Sequence, residues 1–282
     1  RSSGNDTAGY RKTGTHFPFL CITNRKTGFH ETSEGIYERK SGKEVAICFE
    51  NHYNHLERFG VDKMSIECVI FDCDGLMFDT EKVANENWRE IAGQYGITLD
   101  DEFFYQIIGC GRKLFLKAME NHQDLEPHLP EISEGRLKKI FGMCENKGSL
   151  NKKGLTELLD YLEEAGIKKC VASSSHREYV ETLLGSIGKP YHFDSVVCGD
   201  EVTHGKPDPE IFLTAAQKAG VAPENCVVLE DSKFGIIAAK RAGMKSVWIY
   251  DFVKPDQEMK EAIQESRNDL LEVIDYLKEQ AQ

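Results

Sequence analysis

The sequence has 282 residues and a mass of 31.9 kDa, which allows one large domain or two smaller ones and excludes a small disulfide-dependent scaffold. Apolar residues make up 40% and charged residues 29%, a globular mixture that excludes wholesale disorder. The mean hydropathy is −0.45, and no apolar run is long enough to span a membrane. The net charge of −12 argues against nucleic acid as the main partner but does not exclude small anionic substrates.

Nine cysteines, an odd number, are scattered from Cys21 to Cys226 without a CxxC pair or regular spacing. A disulfide framework would show a regular pattern, so we predict reduced thiols and a cytoplasmic protein. The sequence does not open on a positively charged and then apolar leader, so no secretory signal is predicted.

Residues 1–63 differ from the rest of the chain. They hold 10 basic and 8 acidic residues, whereas the remaining 219 hold 25 and 39. Residues 45–49 predict one strand, and the polar clusters around it predict a poorly ordered or loosely attached segment. The codons of residues 60–63 can contain a purine-rich GGAG just before Met64, which resembles a bacterial ribosome-binding site. We hypothesise that residues 1–63 are upstream translation, with a genuine flexible extension or an expression artefact as the alternatives.

From Met64 onward, apolar strands and amphipathic helices alternate. We predict strands over residues 66–71, 169–172, 195–198, 226–229 and 246–250. We predict helices over residues 155–166, 177–184, 209–219, 235–242 and 268–280. This alternation indicates an α/β fold with a doubly wound parallel sheet that is covered on both faces.

Residues 81–150 interrupt the alternation. Apolar residues recur there at helical spacing, as at Trp88 and Ile91, and no convincing strand is present. We therefore predict a helical insertion that forms a cap over the carboxyl ends of the strands, where open α/β sheets bind ligands. The core domain would comprise residues 64–80 and 151–282.

Acidic residues follow two of the predicted strands. Asp72 and Asp74 follow the first strand, and their spacing places both carboxylates on one side of the chain. Such a pair suits metal binding, nucleophilic attack or acid–base catalysis, although Asp is also common in turns. Glu230 and Asp231 follow the strand over 226–229, and the two pairs together form a set of oxygen ligands that Mg²⁺ accepts. The alternative is that Asp231 simply caps the next helix.

Two further signals lie between these pairs. Ser173 and Ser174 follow a strand, where hydroxyl and backbone N–H groups can bind an anion, although serine runs are also ordinary in loops. Lys206 lies in a stiff turn before a helix, which suits either a functional lysine or a solvated one.

Four motifs occur in chain order: D-x-D-G, a serine, G-K-P-x-P and E-D-S-x-x-G. Together they resemble the haloacid dehalogenase (HAD) superfamily of phosphoryl-transfer enzymes. The sequence is most similar to the subgroup with a helical cap after the first motif, which contains β-phosphoglucomutase and many sugar-phosphate and nucleotide phosphatases. The resemblance covers residues 66–252 and implies a Rossmann-like HAD core. It also implies phosphate chemistry rather than carbon–halogen chemistry, because the dehalogenases lack the second aspartate and the metal.

The resemblance implies a role for each motif residue. Asp72 would be the nucleophile that forms an aspartyl-phosphate, and Asp74 would protonate the leaving oxygen and then activate water. Ser173 and Lys206 would hold the phosphoryl oxygens. Phosphoryl transfer depends mainly on positioning and charge neutralisation, which such a set supplies.

The resemblance also implies a Mg²⁺ site. Glu230 and Asp231 would bind the ion together with an oxygen of Asp72 and the carbonyl group of Asp74. The ion would allow the anionic nucleophile to approach an anionic phosphate.

The insertion carries one more motif, Gly109 to Arg112, which resembles the G-x-x-R substrate loop of the cap in this subgroup. Gly109, Arg112 and Ser174 are therefore predicted to bind substrate, with Arg112 meeting a distal charged or hydroxyl-rich group. An exposed arginine at a helix start is the alternative.

One residue departs from the mutase pattern, which has a histidine four positions after its threonine. This sequence has Ala84 there, so we predict a phosphatase that acts on a small phosphorylated metabolite. The alternatives are a hexose-phosphate mutase and a non-catalytic module that binds a phosphorylated ligand. Nothing in the sequence indicates a protein partner, and we expect a monomer.

Overall fold

The computed structural model describes residues 66–110, 112–252 and 254–281, together with four strands nearer the N-terminus. The chain divides into two compact units, Arg1–Asp62 and Lys63–Gln282.

The first unit contains an antiparallel sheet of four strands in the order β1-β2-β3-β4. The strands are β1 (Ile22–Thr23), β2 (Phe29–Thr32), β3 (Gly35–Lys40) and β4 (Lys43–Cys48). The strand predicted over residues 45–49 overlaps β4. The sequence pattern does not predict the other three strands. The rest of residues 1–63 lies outside the described residues, so the hypothesis of a non-native extension stays a prediction.

The second unit is built on six parallel strands in the order β10-β9-β8-β5-β6-β7. The strands are β5 (Cys68–Phe71), β6 (Lys168–Ser173), β7 (Ser195–Cys198), β8 (Cys226–Glu230), β9 (Lys245–Ile249) and β10 (Glu265–Arg267). All five predicted strands are confirmed. The sixth, β10, is a short polar edge strand without the apolar pattern on which the prediction depends.

Helices cover both faces of this sheet. They are α5 (Leu155–Ala165), α6 (Arg177–Leu184), α7 (Glu210–Ala219), α8 (Lys233–Arg241), α9 (Gln257–Ala262) and α10 (Leu270–Ala281). Val69 and Phe71 pack against α5, α6 and α10, whereas Cys68 and Ile70 pack against α7 and α8. Successive residues of β5 therefore enter different cores, as in a strand buried on both faces. The predicted doubly wound α/β fold is confirmed.

A helical insertion separates β5 from α5. Its helices are α1 (Thr80–Gln94), α2 (Asp101–Ile107), α3 (Arg112–Met119), a 3-10 helix (Gln123–His128) and α4 (Leu129–Cys144). Buried aromatic residues such as Trp88, Phe103 and Phe104 form its core. None of the helices in the described ranges is both long and apolar enough to cross a membrane.

The position of β5 explains where a ligand can bind. It lies between β6 and β8. After β5 the chain forms β6 and β7 on one side of it and then β8, β9 and β10 on the other, so a crevice opens at the carboxyl end of β5. The insertion starts and ends beside this crevice, because the Asp79 N–H donates to Leu150 and the Lys152 N–H donates to Met77. The carboxyl ends of β5, β6 and β8, called the sheet edge below, and the insertion therefore face each other across a cleft.

Candidate active site

Asp72 directly follows β5 and is buried, with 7% of its surface exposed. Its backbone N–H donates to the carbonyl oxygen of Leu229 on β8 at 3.0 Å. The hydrogen bonding of the sheet therefore continues as far as Asp72 and fixes its backbone. The chain then turns at Gly75, whose φ is +78°. A side chain at this position would also overlap the carboxylate of Asp231, so the turn requires glycine for its backbone and for space.

Lys206 reaches Asp72 from the turn before α7, and its side chain is 1% exposed. The ammonium group donates to a carboxylate oxygen of Asp72, to Oε1 of Glu230 at 2.6 Å and to the carbonyl oxygen of Ala172 at 3.2 Å. These acceptors lie at or next to the carboxyl ends of three neighbouring strands, β5, β8 and β6. The structure thus brings together three polar groups from distant parts of the sequence around one buried cation.

Glu230 and Asp231 are buried at the end of β8 and differ in how their oxygens are used. Oε1 of Glu230 accepts from Lys206, and Oε2 accepts from the N–H of Ser232 at 2.7 Å. Oδ1 of Asp231 is buried and accepts no hydrogen bond within the described part of the chain. The hydroxyl of Ser232 caps α8 by accepting from the N–H of Gly235 at 3.1 Å, so Asp231 is not needed as a helix cap.

The electrostatics of this cluster show a deficit of positive charge. Burial, with the neighbouring carboxylate of Glu230, raises the pKa of Asp72 to about 8 although Lys206 opposes the shift. Burial and the same neighbour raise the pKa of Asp231 well above its usual range. Burial alone would lower the pKa of Lys206, but Asp72 and Glu230 raise it. Burial is thus the main cause of the raised pKa of both aspartates, and the excess of carboxylates over the single ammonium group adds to it.

The residues present fit a Mg²⁺ ion. Carboxylate and carbonyl oxygens are the ligands that Mg²⁺ prefers, and the unpartnered Oδ1 of Asp231 is a buried oxygen that such a cation would satisfy. Asp72, Asp74 and Asp231 line the same cavity, whereas Glu230 lies behind them with both oxygens engaged. The carboxylates of Asp72 and Asp231 are therefore the best placed to hold the ion, together with the carbonyl group of Asp74 that the resemblance implies. Glu230 is committed to Lys206.

Asp74 is held by three hydroxyl groups. Its Oδ1 accepts from Thr80 and from Tyr179, both at 2.7 Å, and its Oδ2 accepts from Ser175 at 2.8 Å. The three donors come from the start of α1, from α6 and from the loop between β6 and α6. The side chain is therefore fixed by elements on both sides of the cleft.

The serines after β6 face the same place. Ser173 is 1% exposed, and its hydroxyl accepts from the N–H of Ser175 at 3.1 Å. The hydroxyl of Ser174 is buried without a partner in the described ranges. All three serines line the cavity beside Asp72. Ser173 and Ser174 can therefore meet an anion that enters it.

A cavity of about 600 Å³ lies between the sheet edge and the insertion. Its polar lining from the insertion is Glu81, Asn85, Arg112, Ser133 and Arg136, and its aromatic lining is Trp88 and Phe115, with Gly109 beside them. Gly109 has a φ of +67°, and a side chain there would overlap Ser232, so the insertion touches the sheet edge at this loop. Arg112 is the first residue of α3 and is exposed at the cavity.

Comparisons with known proteins identify the family. A sequence model of haloacid dehalogenase-like hydrolases matches residues 69–249, which is more than half of the chain. The chain belongs to this family. A phosphorylated carbohydrates phosphatase of Thermotoga maritima is 34% identical over 189 residues, which cover 65% of this chain and 84% of the relative. The fructose-1-phosphate phosphatase YqaB of Escherichia coli is 34% identical over 183 residues, or 64% of this chain and 94% of the relative.

Solved structures agree with the family assignment. The crystal structure of β-phosphoglucomutase from Clostridium difficile superposes with a TM-score of 0.63 at 26% identity, over 76% of this chain and 96% of that one. The structure of CbbY from Rhodobacter sphaeroides in complex with phosphate gives a TM-score of 0.61 at 25% identity, over 74% and 96%.

Sequence reasoning misses several residues of this HAD-family site. Ser175 and Tyr179 bind Asp74, and Glu81, Asn85 and Arg136 line the cavity from helices of the insertion. Burial and the charge of Asp74 raise the pKa of Glu81 to about 8. The D-T-E sequence after the first motif could have drawn attention to Glu81. The others carry no local signal, because polar residues on a helix are usually solvated.

Proposed function

We propose that this chain is a Mg²⁺-dependent phosphatase that hydrolyses a small phosphomonoester, a sugar phosphate, through an aspartyl-phosphate on Asp72. The observation that carries the proposal is the position of Asp72 at the floor of the cavity, with Lys206 behind it and Asp74 lining the same cavity. Nucleophile, charge neutralisation and a proton carrier are the parts that two-step phosphoryl transfer requires.

The reaction would proceed in two displacements. An oxygen of Asp72 attacks phosphorus, the bond to the leaving oxygen breaks, and that oxygen takes a proton from Asp74. Water then attacks the phosphorus of the aspartyl-phosphate and gives a proton to Asp74, which releases phosphate and restores Asp72. Ser173 would hold the phosphoryl oxygens throughout, with the charge of Lys206 behind Asp72. Because Asp74 gives a proton in the first displacement and takes one in the second, one proton carrier serves both halves of the reaction.

The metal would be held by the carboxylates of Asp72 and Asp231 and by the carbonyl group of Asp74, with Glu230 supporting them through Lys206. When bound, Mg²⁺ supplies positive charge that lets two anions meet. The charge deficit of the cluster and the unpartnered oxygen of Asp231 support this assignment.

The insertion would act as a cap that encloses the sugar. Its wall combines charged and amide groups with aromatic rings, a combination that suits a hydroxyl-rich ligand. Asn85 is 4% exposed and its Nδ2 has no acceptor in the described ranges, so a substrate oxygen could satisfy it. Gly109, Arg112 and Ser174 are proposed to bind the substrate with it. The names of the two phosphatase relatives support a phosphorylated carbohydrate.

We also propose a cytoplasmic monomer. The seven cysteines of the described residues are free thiols, as expected in a reducing compartment.

The test is phosphate release from a panel of phosphorylated sugars and nucleotides, with Mg²⁺ and with EDTA. The panel includes both anomers of glucose 1-phosphate, with glucose 6-phosphate followed separately. We expect Mg²⁺-dependent phosphate release that Asp72→Asn lowers by about 10³-fold or more. Glucose 6-phosphate without free phosphate would instead indicate a mutase and would show that Ala84 is misleading. The absence of turnover on every compound would contradict the proposal.

A further inference from the structure

The two carboxylate oxygens of Asp74 have different surroundings. Oδ1 accepts hydrogen bonds from Thr80 and Tyr179, whose side chains are buried at 1% and 5% exposure. Oδ2 accepts from Ser175 alone, and Ser175 lines the cavity. A carboxylate oxygen offers about two acceptor positions. Oδ1 is therefore filled from the protein side, and Oδ2 keeps one position on the cavity side.

We propose that Tyr179 is a positioning residue for Asp74. Its hydrogen bond holds Oδ1 against the core and so directs Oδ2 toward the oxygen of the leaving group. The inference rests on the proposed role of Asp74 as the proton carrier and assigns its two oxygens different tasks. Without the Tyr179 hydroxyl, only Thr80 and Ser175 would hold the carboxylate. Its orientation would be less restrained, and Oδ2 would spend less time in the productive direction.

Tyr179 is itself fixed from the insertion. The guanidinium carbon of Arg136 lies 5.2 Å from the centre of its ring, and the ring of Phe141 lies 6.1 Å away. Both residues belong to α4 of the insertion, whereas Tyr179 belongs to α6 of the core. The orientation of Asp74 thus depends on α4 through the Tyr179 ring and on α1 through Thr80.

The test is Tyr179→Phe, which removes the hydroxyl and keeps the ring that packs against Arg136 and Phe141. The kcat/KM is measured for the best sugar phosphate of the panel, whose alkoxide must be protonated as it leaves, and for p-nitrophenyl phosphate, whose phenolate leaves without a proton. We expect kcat/KM to fall about 10-fold or more on the sugar phosphate and less than about twofold on p-nitrophenyl phosphate. Asp74→Asn should give the same selective pattern with a larger loss.

Tyr191→Phe is the matched control. The Tyr191 hydroxyl also donates to an aspartate, Asp160, at 2.7 Å, but neither residue lines the cavity in the described ranges. This variant should leave kcat/KM unchanged on both substrates. Thermal unfolding of all variants separates a loss of orientation from a loss of fold.

Equal losses on the two substrates for folded Tyr179→Phe, or no loss on either, would overturn this inference and leave the proposed function intact. A wild-type protein that releases no phosphate from any compound of the panel with Mg²⁺ would overturn the proposed function, and the inference with it.

Discussion

The two walls of the cavity, the sheet edge and the insertion, differ in whether their cationic side chains are paired with carboxylates. At the sheet edge, Lys206 is buried and bonded to Asp72 and Glu230. On the insertion wall, Arg112 and Arg136 form no ion pair with a carboxylate of the described residues, and Arg112 is exposed. One wall satisfies its cation internally, whereas the other presents cations that a ligand can still meet.

This difference separates the chemistry from the recognition. Groups that attack phosphorus must be held in one geometry. A buried network of hydrogen bonds holds them in that geometry, and it leaves them few other partners. Groups that meet the variable part of a substrate must keep their donors free, and an exposed arginine on a separate set of helices does so. Variants of the sheet edge should therefore change both stability and turnover, and variants of the insertion should change mainly substrate binding.

The largest effect should come from Lys206→Met. Removal of this cation leaves Asp72 and Glu230 buried without their common partner, so we expect a loss of about 3–5 kcal/mol in the free energy of unfolding and of nearly all activity. Urea unfolding and phosphate release measure the two effects. Lys169→Met is the control, because Lys169 is also buried but pairs with Glu163, which is 44% exposed.

The control should cost about 1 kcal/mol or less, since an exposed partner can turn to water. If Lys206→Met and Lys169→Met destabilise the protein equally, the sheet edge does not depend on Lys206 as described.

Asp231→Asn should have an intermediate effect with two opposite signs. Because burial raises the pKa of the Asp231 carboxyl group, keeping that group without a cation costs stability at neutral pH, and the neutral amide should raise the thermal midpoint in EDTA. In the wild type, Mg²⁺ at about 100 times its Kd should add about 2.7 kcal/mol of stability, and this gain should largely disappear in the variant. Calorimetry with and without Mg²⁺ measures both.

The control for this prediction is Asp275→Asn, an exposed aspartate on α10 that should leave the Mg²⁺ effect unchanged. An equal Mg²⁺ shift in Asp231→Asn and the wild type would remove Asp231 from the metal site.

The smallest effect should come from Arg112→Ala. It should raise the KM for fructose 1-phosphate about 10-fold and change kcat less than about threefold, because the arginine meets the substrate away from phosphorus. Stability should change by less than about 0.5 kcal/mol, since the side chain is exposed. Lys117→Ala on the same helix is the control for surface charge. A fall in kcat at constant KM would place Arg112 in the chemistry instead.

The sequence predicts the strands and the residues at their ends for a clear reason. Apolar runs such as residues 226–229 define a strand locally, and the carboxyl ends of parallel strands must meet at one edge. The motif order then predicts that Asp72 and Lys206 belong to one site, although 134 residues separate them. The short strand β10 is not predictable in this way, because its pairing depends on β9 rather than on its own residues.

The contacts between the insertion and the core also cannot be predicted from local patterns in the sequence. Tyr179 and Arg136 look like ordinary residues of amphipathic helices, and only the packing of α4 against α6 brings them together. The same packing decides which groups stay without partners, such as Nδ2 of Asn85. Local patterns thus predict the chemistry of the sheet edge better than the recognition surface above it.

The most direct test of the account is to trap the phosphoryl group. The enzyme is mixed with Mg²⁺ and the best substrate of the panel, quenched in acid during turnover and reduced with borohydride, which converts an aspartyl-phosphate into homoserine. Mass spectrometry of the peptide around residue 72 should locate the change at Asp72 and find none in Asp72→Asn. A change at another residue, or an unmodified peptide from an enzyme that is turning over, would contradict the assignment of Asp72 as the nucleophile.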